Sequence, residues 1–324
     1  MFDDSVILIT GGTGSFGKAC VRRLLMHHKP RKVIVFSRDE FKQHEMAKEF
    51  PFEQHPNIRF FIGDVRDKDR LRRALTGVDY IIHAAALKQV PTAEYNPIEA
   101  VKTNIMGAMH VIDAAIDQGV KKVLALSTDK AVCPVNLYGA TKLCSDKLMV
   151  AGNAYSTLTR FSVVRYGNVM ASRGSVIPVF RECRASGEIP VTDPRMTRFW
   201  ITLDQAVDRV LDTLGFMKGG EIVVPKLPSM NIMDLVQAVA PGCKVRIVGI
   251  RPGEKLHELL FIRDEARSTL EFDGYYLIGT PFSHWLQNGE GLAGTPVPED
   301  FEYSSETNTW KLGVEELRRN LGDA

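Results

Sequence analysis

The 324-residue sequence predicts an α/β fold, a doubly wound parallel sheet with a smaller C-terminal part. Three observations predict it. Apolar runs of strand length alternate with helical patterns through the first half of the chain. A glycine-rich turn joins the first run to the first helix. Past residue 166 the alternation gives way to short elements broken by glycine and proline.

The strands are expected at Val6 to Thr10, Val33 to Phe36, Arg59 to Ile62, Tyr80 to His83, Val123 to Ser127 and Phe161 to Arg165. Each is too short for a helix and rich in β-branched or aromatic residues. Helices carry start signals: Asn96-Pro97 precedes a stretch from Ile98 to Gln118, and Thr202 precedes Leu203 to Met217. Leu203 to Val224 reads as one more helix and strand returning to the main sheet. Gly174, Pro178, Gly187, Pro190 and Pro194 punctuate an irregular region suited to shaping a pocket. Residues 1–166 with 199–224 therefore form the expected sheet domain, and 167–198 with 225–324 the smaller one. Gly289 to Gly294 reads as a surface loop, because no strand leads into it.

Composition excludes several classes. With 44% hydrophobic and 25% charged residues, the chain can bury a large core. Its net charge of +2 comes from mixed-sign runs such as Arg66-Asp67-Lys68-Asp69-Arg70, which argues against nucleic acid as a partner. Five widely spaced cysteines without CxxC spacing suit a reducing compartment, so a cytoplasmic protein is expected. No apolar stretch approaches the ~18 residues that span a bilayer. The eight histidines lack ligand spacing, so no metal site is expected, and His83 reads as a core residue.

The first turn, Thr10-Gly11-Gly12-Thr13-Gly14-Ser15-Phe16-Gly17, lies between a strand and a helix. Gly11, Gly14 and Gly17 have the spacing for a tight turn, close approach of backbone to a pyrophosphate, and close helix packing. This context points to a dinucleotide. After the second strand comes Ser37-Arg38-Asp39-Glu40-Phe41-Lys42. Arg38 can hold a ribose 2′-phosphate, with Lys42 adding charge, which favours NADP. Asp39 could instead bind an unphosphorylated ribose. Asp64 and Val65 after the third strand, and Ala84, Ala85 and Ala86 after the fourth, lie at ligand-facing strand ends. Asp64 is a candidate adenine contact.

Ser127-Thr128-Asp129-Lys130 follows the fifth strand, and Tyr138 and Lys142 follow at a spacing that puts both on one helix face. There the Lys142 ammonium can lower the phenol and bind the nicotinamide ribose. Thr128, or Ser127, is the candidate for orienting a hydroxyl. Asp129 and Lys130 add an acid and a base that a simple reductase or 4-epimerase does not need. Elimination needs both, with Lys130 as a neutral amine and Asp129 as a protonated acid.

These marks resemble the extended short-chain dehydrogenase/reductase family, whose dinucleotide domain is the Rossmann fold. Further stretches, Leu87-Lys88-Gln89-Val90-Pro91, Arg165-Tyr166-Gly167-Asn168-Val169 and Arg251-Pro252-Gly253-Glu254-Lys255-Leu256-His257-Glu258, resemble the inverting UDP-N-acetylglucosamine 4,6-dehydratases of pseudaminic acid biosynthesis. That resemblance covers residues 5–280. It implies Tyr138, Lys142, Thr128, Asp129 and Lys130 as catalytic residues and NADP as a tightly bound cofactor regenerated in each cycle. It also implies UDP-N-acetylglucosamine as substrate, with Lys130 acting at carbon 5. Lys88, Asn168, Val169, Arg198, Arg251 and Glu254 are then expected at the UDP and sugar. A homo-oligomer, dimer or hexamer, is implied through the helices from Ile98 to Gln118 and Leu137 to Val150. Two readings compete: a UDP-sugar 4- or 5-epimerase, and a noncatalytic NADP-sensing protein.

Overall fold

The computed structural model describes residues 1–170, 176–282 and 293–321; Gly174 and residues 289–292 of the glycine-rich stretch lie outside the described residues. The six expected strands form as β1 (Val6–Thr10), β2 (Lys32–Ser37), β3 (Ile58–Ile62), β4 (Tyr80–His83), β5 (Lys122–Thr128) and β6 (Arg160–Tyr166). They run parallel in the order β3-β2-β1-β4-β5-β6. The direction of winding reverses between β1 and β4, so a crevice opens at the carboxyl ends of these strands.

The crossovers carry α1 (Ser15–His27), α2 (Glu40–Glu49), α3 (Lys68–Ala74), α4 (Val90–Tyr95), α5 (Pro97–Val101), α6 (Gly107–Asp117) and α7 (Leu137–Ala151). Helices on both faces explain why all five residues of β1 are buried. The helix expected from Ile98 to Gln118 is interrupted by a π turn at Lys102–Met106. That turn turns Asn104 inward, where its amide pairs with both backbone groups of Leu87 and donates to Thr141 Oγ1 at 2.9 Å. The loop after β4 is thereby tied to the helix that carries Tyr138.

Beyond β6 come β7 (Asn168–Val169), α8 (Val176–Arg184), β8 (Glu188–Val191) and β9 (Thr197–Ile201). Then α9 (Leu203–Phe216), opened by a Thr202–Gln205 capping box, leads into β10 (Ile222–Pro225), which joins β6 in parallel as expected. β11 (Ser229–Asn231), α10 (Ile232–Val239), β12 (Lys244–Ile247) and β13 (Leu259–Phe261) follow. The expected boundary changes after that. β14 (Thr269–Phe272), β15 (Tyr275–Ile278) and β16 (Thr295–Pro296) extend the main sheet as antiparallel strands, with β15 covering the edge of β10. An unpaired β10 edge would leave a row of backbone donors and acceptors open, which β15 satisfies. β17 (Tyr303–Ser304) pairs with β13.

Two apolar clusters result. The main one centres on Ile7, Leu8, Ile9, Val35, Leu124 and Phe161 and takes in Phe261, Tyr276 and Tyr303. The second holds Ile177, Phe180, Ile189, Leu235, Val236 and Leu317. β9 is the seam: the alternation of a strand sends Phe199 and Ile201 into the first cluster and Trp200 into the second. Among the described residues, no helix is long and apolar enough to cross a membrane.

Candidate active site

A cleft of about 800 Å³ lies at the carboxyl ends of the parallel strands, between the two clusters. Gly11, Thr13, Gly14, Ser15, Phe16 and Gly17 line one end. Gly11 has φ +65°, and a Cβ there would lie 2.9 Å from the backbone of Ala85. At Gly17 a Cβ would lie 2.3 Å from the Gly12 carbonyl oxygen. Gly14, by contrast, meets only the Gly11 oxygen, at 3.2 Å. Its open side faces the cleft at the amino end of α1, which has no side-chain cap and no acidic residue in its first turn. Those free N–H groups and the positive end of the helix dipole fit a pyrophosphate.

Below this loop, Thr10 Oγ1 accepts from the Ala84 and Ala85 N–H groups at 3.1 and 3.2 Å, and lies 2.8 Å from His83 Nδ1. His83 is a buried core residue, as expected. Ala84, Ala85 and Ala86 line the cleft. At the adenosine side, Lys42 lines the cleft, whereas Ser37, Arg38, Asp39, Asp64 and Val65 do not. Asp39 caps α2, accepting from Lys42 N at 2.9 Å with one oxygen and pairing with Lys42 Nζ at 2.8 Å with the other. Ser37 accepts from Gln43. Asp64, expected at an adenine, has its carboxylate taken up by Arg66 at 2.7 and 3.0 Å and approached by Arg38 at 3.6 Å. Val65 is packed beside Gly107, and its carbonyl is engaged by His110. Arg38 remains more than half exposed.

At the catalytic end, Ser127 and Thr128 close β5 and Asp129–Ala131 form a 3₁₀ turn. Thr128 Oγ1 donates to Asp129 Oδ1 at 2.8 Å, and Lys130 Nζ donates to the same oxygen at 3.1 Å. Asp129 is fully buried, and its Oδ2 has no partner among the described residues. α7 starts at a cap in which Asn136 accepts from Gly139 N and donates to the Gly253 carbonyl, both at 2.8 Å. Gly139 is required, since a Cβ would lie 2.1 Å from the Lys130 carbonyl oxygen. This close approach places Tyr138 beside Lys130.

Charge in the site departs from expectation twice. Lys130 was expected as a neutral amine. Burial acts in that direction, but the carboxylates of Asp129 and then Glu258 outweigh it and hold the ammonium above lysine's ordinary range. Lys142 was expected to be the cation that lowers the phenol. Burial pushes Tyr138 up to about 12, and the cation opposing that rise is Lys130. Lys142 is itself buried, which lowers it, and its charge is answered by Asp146 one helical turn on.

At the substrate end, Lys88, Asn168, Val169, Arg198, Arg251 and Glu254 all line the cleft. Asn168 Oδ1 is buried without a partner among the described residues, and Arg251 is 68% exposed. Arg198 differs from expectation. Its guanidinium donates to the carbonyls of Thr197, Leu256 and Lys255 at 2.7 to 3.0 Å, which leaves it clipping this segment rather than reaching for a diphosphate.

Sequence reasoning missed Glu258 and a buried chain beneath Tyr138. In that chain Ser127 donates to Asp146 at 2.6 Å, Arg165 lies 3.8 Å from Asp146, and Arg165 pairs with Glu265 at 3.0 Å. Asp146 was detectable as an acid four residues after Lys142 on one helix face. Glu258 offered only its place as a lone charge before the apolar run Leu259-Leu260-Phe261-Ile262.

Comparison with known proteins bears on this arrangement. A family model described as "Polysaccharide biosynthesis protein" matches residues 7–280. A Campylobacter jejuni protein named UDP-N-acetylglucosamine 4,6-dehydratase (inverting) is 53% identical, over 98% of this chain and 97% of its own. A Rickettsia akari protein named UDP-glucose 4-epimerase is 40% identical, over 99% of this chain and 96% of its own. Among solved structures, Pen from Bacillus thuringiensis has a TM-score of 0.89 at 39% identity, covering 98% of each chain. DesIV, a dTDP-glucose 4,6-dehydratase from Streptomyces venezuelae with NAD and TYD bound, has a TM-score of 0.70 at 26% identity, covering 78% of this chain and 86% of its own. The chain therefore belongs to the polysaccharide biosynthesis protein family, within the extended short-chain dehydrogenase/reductases and the group that includes the inverting UDP-N-acetylglucosamine 4,6-dehydratases.

Proposed function

We propose that this protein is a hydro-lyase that dehydrates UDP-N-acetylglucosamine across carbons 4 to 6 with inversion at carbon 5. The product is UDP-2-acetamido-2,6-dideoxy-β-L-arabino-hex-4-ulose, an entry point to pseudaminic acid. The observation that carries the reading is the Asp129–Lys130 hydrogen bond of 3.1 Å, with Lys130 and Tyr138 lining the cleft and Asp129 buried behind Lys130. An elimination needs an acid and a base close together, and the relatives at 53% identity bear the name of this activity.

NADP, held at the glycine loop, supplies reversible hydride storage when bound. Tyr138 first gives its own proton to solvent, and the Lys130 ammonium beside it supports the phenolate. The phenolate then takes the proton of the carbon 4 hydroxyl, which Thr128 orients. The resulting ketone acidifies the hydrogen at carbon 5. One proton passed from Lys130 to Asp129 along their hydrogen bond turns the ion pair into the neutral amine and carboxylic acid that elimination requires. Lys130 then removes the carbon 5 proton, and Asp129 protonates the carbon 6 hydroxyl, which leaves as water. A proton reaches carbon 5 from the opposite face as the stored hydride returns to carbon 6, which leaves the cofactor as it began. NADP is favoured over NAD because both Asp39 oxygens are occupied by Lys42, while Arg38 is more than half exposed and held only by a 3.6 Å approach to Asp64, which a 2′-phosphate can replace. The five free cysteines fit a cytoplasmic location. Ile98 of α5, Met106 of the π turn and Met109 of α6 leave apolar surface along this stretch, which supports a homo-oligomer through it.

The deciding experiment incubates purified protein with UDP-N-acetylglucosamine, without added cofactor, in deuterated water. NMR of the sugar should find a 4-keto-6-deoxy product with deuterium at carbon 5 and inverted configuration. Unchanged substrate sinks the proposal. The relative named UDP-glucose 4-epimerase supports a second reading, 4-epimerisation, which uses Tyr138 and Lys142 but not Lys130. A Lys130→Ala variant that still epimerised carbon 4 of a UDP-sugar would favour it.

A further inference from the structure

Glu258 lies just before β13 and is 3% exposed. Its N–H donates to Ser305 Oγ and its carbonyl accepts from Ser305 N, both at 2.9 Å, so the β13–β17 pair fixes its backbone. Its Oε1 lies 3.5 Å from Lys130 Nζ and 3.6 Å from Arg198 Nε. Both distances exceed a hydrogen bond, and Oε2 is buried with no partner among the described residues. A carboxylate kept for architecture alone would have its oxygens satisfied. Arg198 cannot turn away to accommodate it, because its other donors are on three backbone carbonyls. The geometry therefore leaves Glu258 acting mainly through its charge, at the ammonium of Lys130.

We propose that Glu258 is a positioning residue that keeps the proton of the Asp129–Lys130 pair in the site and so sets the pH above which the pair loses it. The inference rests on the assignment of Lys130 and Asp129 as base and acid. When the proton passes from Nζ to the Asp129 carboxylate, no proton leaves the pair; only release to solvent disables it. The charged groups that face Lys130 are the carboxylates of Asp129 and Glu258, the cations Arg198, Lys88 and Lys255, and the neutral phenol of Tyr138. Without Glu258, Asp129 alone would answer four cations, Lys130 included, and the proton would be lost at lower pH.

Glu258→Gln in the full chain tests this. Its turnover of UDP-N-acetylglucosamine should keep its KM while the alkaline limb of the kcat profile moves down by about one pH unit or more, the shift expected from one charge at this range. Acylation of the Lys130 amine, read by peptide mass spectrometry across pH, should move down in parallel. Glu258→Asp, which keeps the charge but retracts it, should move both curves less. Curves that coincide with wild type in a folded Glu258→Gln protein overturn the proposal. Should that variant not fold, Glu258→Asp decides: displaced curves support the proposal and coinciding curves overturn it. The acylation curve needs no turnover, so a wild type inactive on this substrate would sink the function while leaving the role of Glu258 separately judged.

Discussion

Replacing His83 with Asn tests whether the cofactor end of the sheet is built on a neutral imidazole. Thr10 Oγ1 already accepts from two backbone N–H groups, so its own proton goes to His83 Nδ1, 2.8 Å away, and the ring must be an acceptor there. Burial first, and then the charge of Lys142, hold the ring down to about 3, from 6.5. The unfolded chain takes up this proton near 6.5, whereas the folded chain resists it until about 3. Stability from the neutral ring is therefore complete above the unfolded value and lost as pH falls through the window between the two. Over the interval from about pH 7 to pH 5 the loss from this one ring is about 2 kcal/mol. Urea unfolding of wild type and His83→Asn at both ends of that interval measures it. Asn keeps an acceptor for Thr10 and does not titrate, so wild type should lose about 2 kcal/mol more than the variant. Equal losses would refute a buried neutral ring, whatever the other acid groups do, since those are common to both proteins.

Four further outcomes follow from the same geometry. Gly17→Ala must move backbone, because its Cβ would lie 2.3 Å from the Gly12 oxygen, and urea unfolding should report a cost of about 1–3 kcal/mol. Gly14→Ala, with nothing nearer than 3.2 Å, should hold its stability yet weaken NADP binding by roughly tenfold or more in calorimetric titration, because the methyl occupies the side where phosphate approaches. Arg165→Met strips the cation from Asp146 and Glu265 in a nearly water-free site, and denaturant unfolding should show a loss of about 3–5 kcal/mol. Arg38→Ala should reduce affinity for NADP by about tenfold or more and leave NAD nearly unchanged, and equal effects on the two would remove Arg38 from the 2′-phosphate.

The six parallel strands and the glycine loop could be read from the chain alone because their physics is local. A strand buried on both faces must be a continuous apolar run, as in Val6-Ile7-Leu8-Ile9, and a turn that brings Gly11 against Ala85 must lack a Cβ. Tyr138 and Lys142 share a helix face by spacing alone, and Asp129 and Lys130 are neighbours in sequence. The adjacency of these side chains was legible for that reason.

What the tertiary structure alone decided depends on residues far apart in the chain. Pairing of β15 with β10 moved part of the expected small domain into the main sheet, since an edge strand takes whichever partner the fold delivers. The side chain of Arg198 reads as a phosphate clamp until the carbonyls of Leu256 and Lys255 are seen to occupy it. The charge on Lys130 is held by its neighbour Asp129 and then by Glu258, 128 positions away yet 3.5 Å distant, a contribution that no reading of local sequence reveals. Sequence determined which groups could carry protons in this protein; the fold determined where those protons rest.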